Sequence, residues 1–205
     1  MSFAPLELVG ELPAEQPGFL SANVLPDRGM MLFQARLRLP SGEVVDALQS
    51  PPLAQAGFGG PDDFAGNRSF AFGGAILAPF ANRIRGQPVA GARQIEADLQ
   101  SRGVRLPANW SGKAPGAEAY AMHGLMLAAQ AEILTRSATE IRGRVLSREL
   151  AGEWPGDLAV EVGWSLRGGV LRLNIEVRNE GAQAAPVGIG WHPWFALPSG
   201  RRDLA

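Results

Sequence analysis

An antiparallel, all-β protein of sandwich type is what this sequence predicts. Three features carry the prediction. Glycine (26) and proline (16) make up about a fifth of the 205 residues and fall in short clusters between apolar runs, as turns do between short strands. Two segments flanking Arg167-Gly168-Gly169-Val170 alternate apolar and polar residues with period two, the pattern of strands with one buried face. No window of helical length carries an apolar stripe of comparable strength.

From the N-terminus, the first strong strand holds Met31, Phe33, Ala35, Leu37 and Leu39 on one face, with Gln34, Arg36 and Arg38 on the other. It ends at Pro40-Ser41-Gly42. Weaker strands are expected over residues 44–48, 131–136 and 141–146. The hairpin follows. A two-residue turn at Gly168-Gly169 sets Leu166 opposite Leu171, Trp164 opposite Leu173, Val162 opposite Ile175 and Val160 opposite Val177, so every apolar residue falls on one side. The same register sets Glu161 opposite Glu176, a like-charge pair that needs a cation from a neighbouring strand. No repeat, low-complexity tract or internal linker divides the chain, and its length favours one domain.

Composition narrows the class of function. Nineteen basic residues against 20 acidic ones give a formal net charge of -1, so nothing electrostatic recommends nucleic acid or a membrane surface as a partner. Without cysteine there is no disulfide, zinc-thiolate site or thiol catalysis. The N-terminus carries no basic residue before Arg28 and no signal-like apolar core, and no apolar run reaches membrane-spanning length. A soluble, cytoplasmic protein with a small-molecule partner is the expectation. Oligomeric state leaves no trace in the sequence. Asn67-Arg68-Ser69 and Asn109-Trp110-Ser111 match the glycosylation sequon by chance on this reading.

Three stretches could carry chemistry. In GGAILAPFANRIR, residues 73–85, an apolar run breaks at Pro79 and delivers Asn82 and Arg83 on a loop, where an amide and a planar guanidinium fork can meet neighbouring oxygens; a plain surface turn would read the same way. AMHGLM places His123 beside Gly124, and GIGWHPWF sets His192 between tryptophans. Either histidine could be structural. A metal site is disfavoured, because the two lie in neither an HxH nor an HExxH pattern and no thiol completes them. No GxSxG elbow supports a serine nucleophile. What remains is acid or base work by an imidazole in an aromatic-walled pocket, a setting that suits a sugar with its apolar ring faces and polar hydroxyls.

In this order, GGAILAPFANRI, MHGL and GIGWHPWF resemble the aldose 1-epimerase (galactose mutarotase) family, and Trp154-Pro155 and Asn179 look like its approach to the second histidine. The resemblance runs from about residue 26 to 197. It implies a β-supersandwich whose concave face binds a hexose or related aldose. Residues 1–205 would then form one galactose mutarotase-like domain that stops before the family's C-terminal strands. It also implies that His192 is the general acid protonating the ring oxygen, with His123 beside it as a second hydrogen-bonding or acidic group. Arg83 and Asn82 would hold sugar hydroxyls. The reaction is ring opening to the aldehyde, rotation about C1-C2 and reclosure, and it needs neither cofactor nor metal. An imidazole, with an ordinary pKa near 6.5, exchanges protons readily near neutrality.

The family's base is a glutamate well downstream of the second histidine, and only Asp203 follows here, too soon to match it. Losing one acid–base partner costs about 10² to 10⁴ in rate, or roughly 3 to 5 kcal/mol of barrier. This chain alone is therefore expected to be a poor catalyst. Pro198-Ser199-Gly200-Arg201-Arg202 reads as a turn into a strand that does not follow, the mark of an N-terminal piece. Smaller departures from the family are Leu125 after His-Gly and a long connection over residues 103–121. Two alternatives stay open: a hexose-6-phosphate 1-epimerase, with Arg85 meeting the phosphate, and a non-catalytic carbohydrate-binding domain.

Overall fold

A computed structural model describes residues 3–111 and 118–197. Its helical content is four short 3₁₀ segments, Pro26–Arg28, Leu53–Gln55, Phe64–Phe70 and Ser147–Glu149; strands make the rest of the regular structure. In chain order these are β1 (Leu6–Val9), β2 (Gly18–Leu25), β3 (Met31–Arg38), β4 (Val44–Asp46), β5 (Gly74–Leu77), β6 (Arg83–Arg85), β7 (Gln87–Pro88) and β8 (Gln94–Asp98). They continue with β9 (Gly103–Pro107), β10 (Trp110–Ser111), β11 (Ala119–Met122), β12 (Glu132–Arg136), β13 (Glu140–Leu146), β14 (Leu158–Arg167), β15 (Val170–Asn179) and β16 (Gly190–Pro193). All pairings are antiparallel.

Two sheets make the sandwich. One runs β1-β2-β3-β5-β16, with β4 also on β3, and the other runs β12-β13-β14-β15. Their facing residues form the main core, in which Leu8, Val24, Leu32 and Ile76 of the first sheet meet Ile141, Val160, Val162 and Trp164 of the second. Burial of this kind stabilises by about 25 cal/mol per Å². The Trp164 indole N–H is also satisfied, donating to the Met30 carbonyl at 2.9 Å. Two three-stranded sheets, β10-β11-β6 and β7-β8-β9, enclose a smaller core around Phe80, Ile95, Leu106 and Leu125.

The hairpin forms in the expected register, with Leu166, Trp164, Val162 and Val160 opposite Leu171, Leu173, Ile175 and Val177. Glu161 does face Glu176, and the cation comes from β13: the Arg142 guanidinium reaches the Glu161 carboxylate and lies 3.7 Å from that of Glu176. The strand expected from Met31 to Leu39 forms as β3, but its alternation breaks. A register shift against β2 leaves Phe33 as an extra residue, because Asn23 pairs with Gln34 while Val24 pairs with Leu32. Leu32 and Ala35 then enter the main core, whereas Met31 and Phe33 pack with Leu25, Ala56 and Phe72 on the other face. The long connection expected over 103–121 carries β9, β10 and the start of β11. The turn read at residues 198–202, and Asp203, lie outside the described residues.

Behind β2 and β3 lies a buried ion pair. Arg28 forks onto the Asp63 carboxylate at 2.8 and 2.9 Å, its Nε donates to Ser69 Oγ at 2.9 Å, and the Phe58 ring lies 4.2 Å from the guanidinium. Ser69 Oγ in turn donates to the Leu127 carbonyl at 2.7 Å. The network pins the 3₁₀ segment that ends at Phe70. Removing one member of a buried pair typically costs roughly 3–5 kcal/mol, because the other charge is stranded. Arg28→Met is therefore expected to lower unfolding stability by about that much in urea titration, and Arg28→Met/Asp63→Leu by distinctly less. Equal losses in the two variants would show that the charges are not coupled.

Candidate active site

Antiparallel pairing of β16 with β5 sets His192 opposite Ala75 and Trp191 opposite Ile76. Cross-strand partners share a face, so the two side chains leave in opposite directions. Trp191 goes inward, edge-on to Trp164 at 5.9 Å. A side chain at Gly74 would meet its indole nitrogen at 2.6 Å, which accounts for the second glycine of the Gly73-Gly74 pair. His192 goes to the outer face, where Ala75, Leu77 and Leu127 pack with Phe70. Trp194, also beside this histidine at 6.0 Å, is anchored by its indole N–H to the Phe70 carbonyl at 2.9 Å.

The second histidine arrives from β11. Met122, the last residue of that strand, pairs with Arg83, and the His123 N–H donates to the Asn82 carbonyl at 2.7 Å. His123 (φ 63°) and Gly124 (φ 89°) then turn the chain sharply, and the Leu125 N–H reaches the Ala78 carbonyl at 2.8 Å. Any side chain at position 124 would lie 2.4 Å from that same carbonyl oxygen, so the His-Gly pair is a backbone requirement as well as a chemical one. Asn109 holds the turn from beneath, its buried amide exchanging two bonds with the Met122 backbone at 2.7 and 3.0 Å. An amide so committed is no glycosylation site.

The imidazoles of His123 and His192 meet at 4.9 Å between ring centres, and Phe70 closes on His123 edge-on at 5.0 Å. Both Nδ1 atoms are buried with no hydrogen-bond partner among the described residues. Burial first, then the positive potential of His192 and of Arg83, lowers the His123 pKa from 6.5 to about 4. Asn82 and Arg83 are exposed at the lip, and the Arg83 Nε donates to Asn82 Oδ1 at 3.3 Å. Arg83 opens strand β6 and is not on a loop, which fixes its direction relative to β11. The four residues singled out in the sequence thus lie close together: Asn82 and Arg83 adjoin the His123 turn, and His123 faces His192.

Phe70, Trp110 and Tyr120 were not legible as members of this site. The rings of Trp110 and Tyr120 lie 5.6 and 5.5 Å from the Arg83 guanidinium. A hairpin reading of residues 110–120, with an aromatic near each end, would have brought this pair together. Trp154 stacks on Phe80 at 5.4 Å and supports the loop before Asn82. Among the described residues no group of three or more His, Cys, Asp or Glu is placed to hold a metal. An apolar cavity of about 270 Å³ opens on the inward face of β16, lined by Trp164, Trp191, Leu171, Leu173 and Phe195 among others; its walls lack the polar groups a sugar needs.

The sequence pattern of the aldose 1-epimerase family matches residues 55–204, a span that contains the whole cleft. This chain belongs to the aldose 1-epimerase family. No curated protein matches it. Among solved structures, it is similar to an aldose epimerase homologue from C. elegans, with TM-score 0.63 and 13% identity over 96% of this chain and 52% of that one. A galactose mutarotase related enzyme from Lactobacillus acidophilus gives 0.59 at 15% identity, over 98% and 51% of the two chains. A galactose mutarotase-like protein from Lactobacillus casei gives 0.57 at 15%, over 95% and 50%. These likenesses speak for the fold, and the chain spans about half the length of the structures it matches. No described helix is long and apolar enough to cross a membrane.

Because the folded state holds His123 neutral while the unfolded chain protonates it near 6.5, the unfolded state binds more protons between pH 6.5 and about 4. Its contribution to stability is complete above pH 6.5 and is lost as pH falls through that window. NMR titration of the imidazole Cε1–H should show His123 neutral until about pH 4, and His123→Asn should flatten the acid limb of the stability curve. An ordinary titration midpoint near 6.5 would contradict the burial argument.

Proposed function

We propose that this cleft is the acid side of a mutarotase site that interconverts the α and β anomers of a hexose or related aldose. The observation that carries the proposal is the pair of facing imidazoles, one of them held neutral, beneath an exposed arginine. His192 donates a proton to the ring oxygen as the C1–O5 bond breaks, and recovers it when the ring closes on the other face of the aldehyde. His123 stands at the same oxygen as a neutral hydrogen-bonding group. Arg83 and Asn82 receive sugar hydroxyls, and Phe70 and Trp194 offer apolar surface to the ring carbons. Neither a metal nor a cofactor takes part.

Opening the hemiacetal also requires removal of the C1 hydroxyl proton. No described carboxylate forms an ion pair or hydrogen bond with either histidine. We therefore place the base on polypeptide outside the described residues, and read residues 1–205 as the N-terminal part of one longer sandwich domain. The half-length match to the solved structures supports this. A free sugar is favoured over a sugar phosphate, because the Arg85 guanidinium is already paired with Glu118. A non-catalytic sugar-binding role follows only if no base is ever supplied.

The native protein from its source should weigh more than 21.7 kDa and accelerate the α-to-β conversion of galactose, followed by polarimetry. His192→Ala in that protein should lower the rate by about 10² to 10⁴ while leaving the fold intact. Undiminished catalysis by His192→Ala would sink the assignment of the acid. A native mass of 21.7 kDa, with sugar binding and no catalysis, would leave the binding role.

A further inference from the structure

Arg83 differs from its neighbour on β6 in how its charge is met. Arg85 pairs with one oxygen of Glu118, and the Tyr120 hydroxyl donates to the other. For Arg83 the structure shows no carboxylate among the described residues. What surrounds it instead is aromatic. Register sets Tyr120 opposite Arg85 and Trp110 opposite Tyr120, so these residues and Arg83 rise from one face, while Ile84 and Ala121 turn to the small core behind. The two rings lie 5.7 Å apart at 46°, and the guanidinium carbon sits 5.6 and 5.5 Å from their centres. Its Nε is taken up by Asn82 at 3.3 Å. No described residue accepts from either Nη.

We propose that Trp110 and Tyr120 are positioning residues which brace the Arg83 guanidinium so that its Nη edge meets the hydroxyls of the sugar. The sugar in this statement rests on the function proposed above; the brace does not. An exposed arginine has many rotamers, and holding it in one lowers the entropy lost on binding. A carboxylate would hold it too, but would occupy the donors that the ligand needs and cancel the charge. Aromatic faces attract the cation without accepting its N–H bonds. Tyr120 is itself steadied through Glu118, so the Arg85–Glu118 pair acts as the footing of the brace. Removing either ring should weaken the grip on the sugar without touching the proton chemistry at the histidines.

The experiment uses the full-length native protein, the same material as in the polarimetry above, with galactose as probe and ¹⁵N–¹H NMR as readout. The Arg83 Nε–H resonance, assigned through Arg83→Lys, should be displaced by the ring currents. Trp110→Ala and Tyr120→Ala should each move it towards the position of a free arginine and weaken the galactose Kd about tenfold, the scale of a cation–π contact. Trp110→Phe, which keeps a ring, should stay within about threefold of the parent, and its amide spectrum guards against simple unfolding. An Nε–H already at the free position in the parent chain would overturn the brace, as would one that ignores both alanine variants. A resonance that moves while the galactose affinity does not would overturn the positioning role. Were the parent chain to bind no galactose while the resonance still responded to Trp110→Ala, the sugar reading would fall and the brace would stand.

Discussion

Four antiparallel pairs between β5 and β16 hold the cleft together, and what they constrain is parity. Because side chains alternate across a strand, the register that sends Trp191 into the sandwich sends His192 out to meet His123. A slip by one residue would exchange them, placing an imidazole in an apolar cavity and an indole in the cleft. The register is specified from both sides. Inward, the Trp191 ring needs the space left by Gly74; outward, Trp194 is tethered to the Phe70 carbonyl and to the Gly73 backbone. The partners are more than a hundred residues apart in sequence, yet the entropy of closing so long a loop grows only slowly with length.

The other histidine is placed by strain. A β-strand that ended normally would not bring His123 back over Asn82; two successive positive φ angles do. Histidine tolerates that region better than a β-branched residue, and the bonds to Asn82, to Ala78 and from Asn109 over-determine the turn. The result is an imidazole carried on a fixed backbone turn, half-buried against Phe70, on an element whose opposite strand begins with Arg83.

Legibility followed periodicity. The β14–β15 hairpin could be read to the residue because both strands alternate cleanly about a glycine turn, and even its awkward Glu161–Glu176 pair announced the need that Arg142 meets. Where the ladder carries bulges, as β2 and β3 do, the alternation changes phase mid-strand and the period-two reading fails; β2 shows no clean alternation, and β3 sends residues of one apparent face to both sides. β5 is buried throughout and so reads as a featureless apolar run. In the cleft, His123, His192, Asn82 and Arg83 were visible through short motifs. Phe70, Trp110 and Tyr120 have no motif of their own, since only the tether on Trp194 and the β10–β11–β6 pairing bring them there.

These placements impose an electrostatic logic on the cleft. Two imidazoles at 4.9 Å and a guanidinium would bring three positive charges together if all were protonated, and a proton on either ring raises the cost of a proton on the other. Burial keeps the His123 ring neutral down to about pH 4, so it adds no charge to this cluster near neutrality. The remaining cationic character faces outward, where Arg83 is exposed. A carboxylate brought against such a cluster is stabilised in its ionised form, and the ionised form is the one that can take a proton from a C1 hydroxyl.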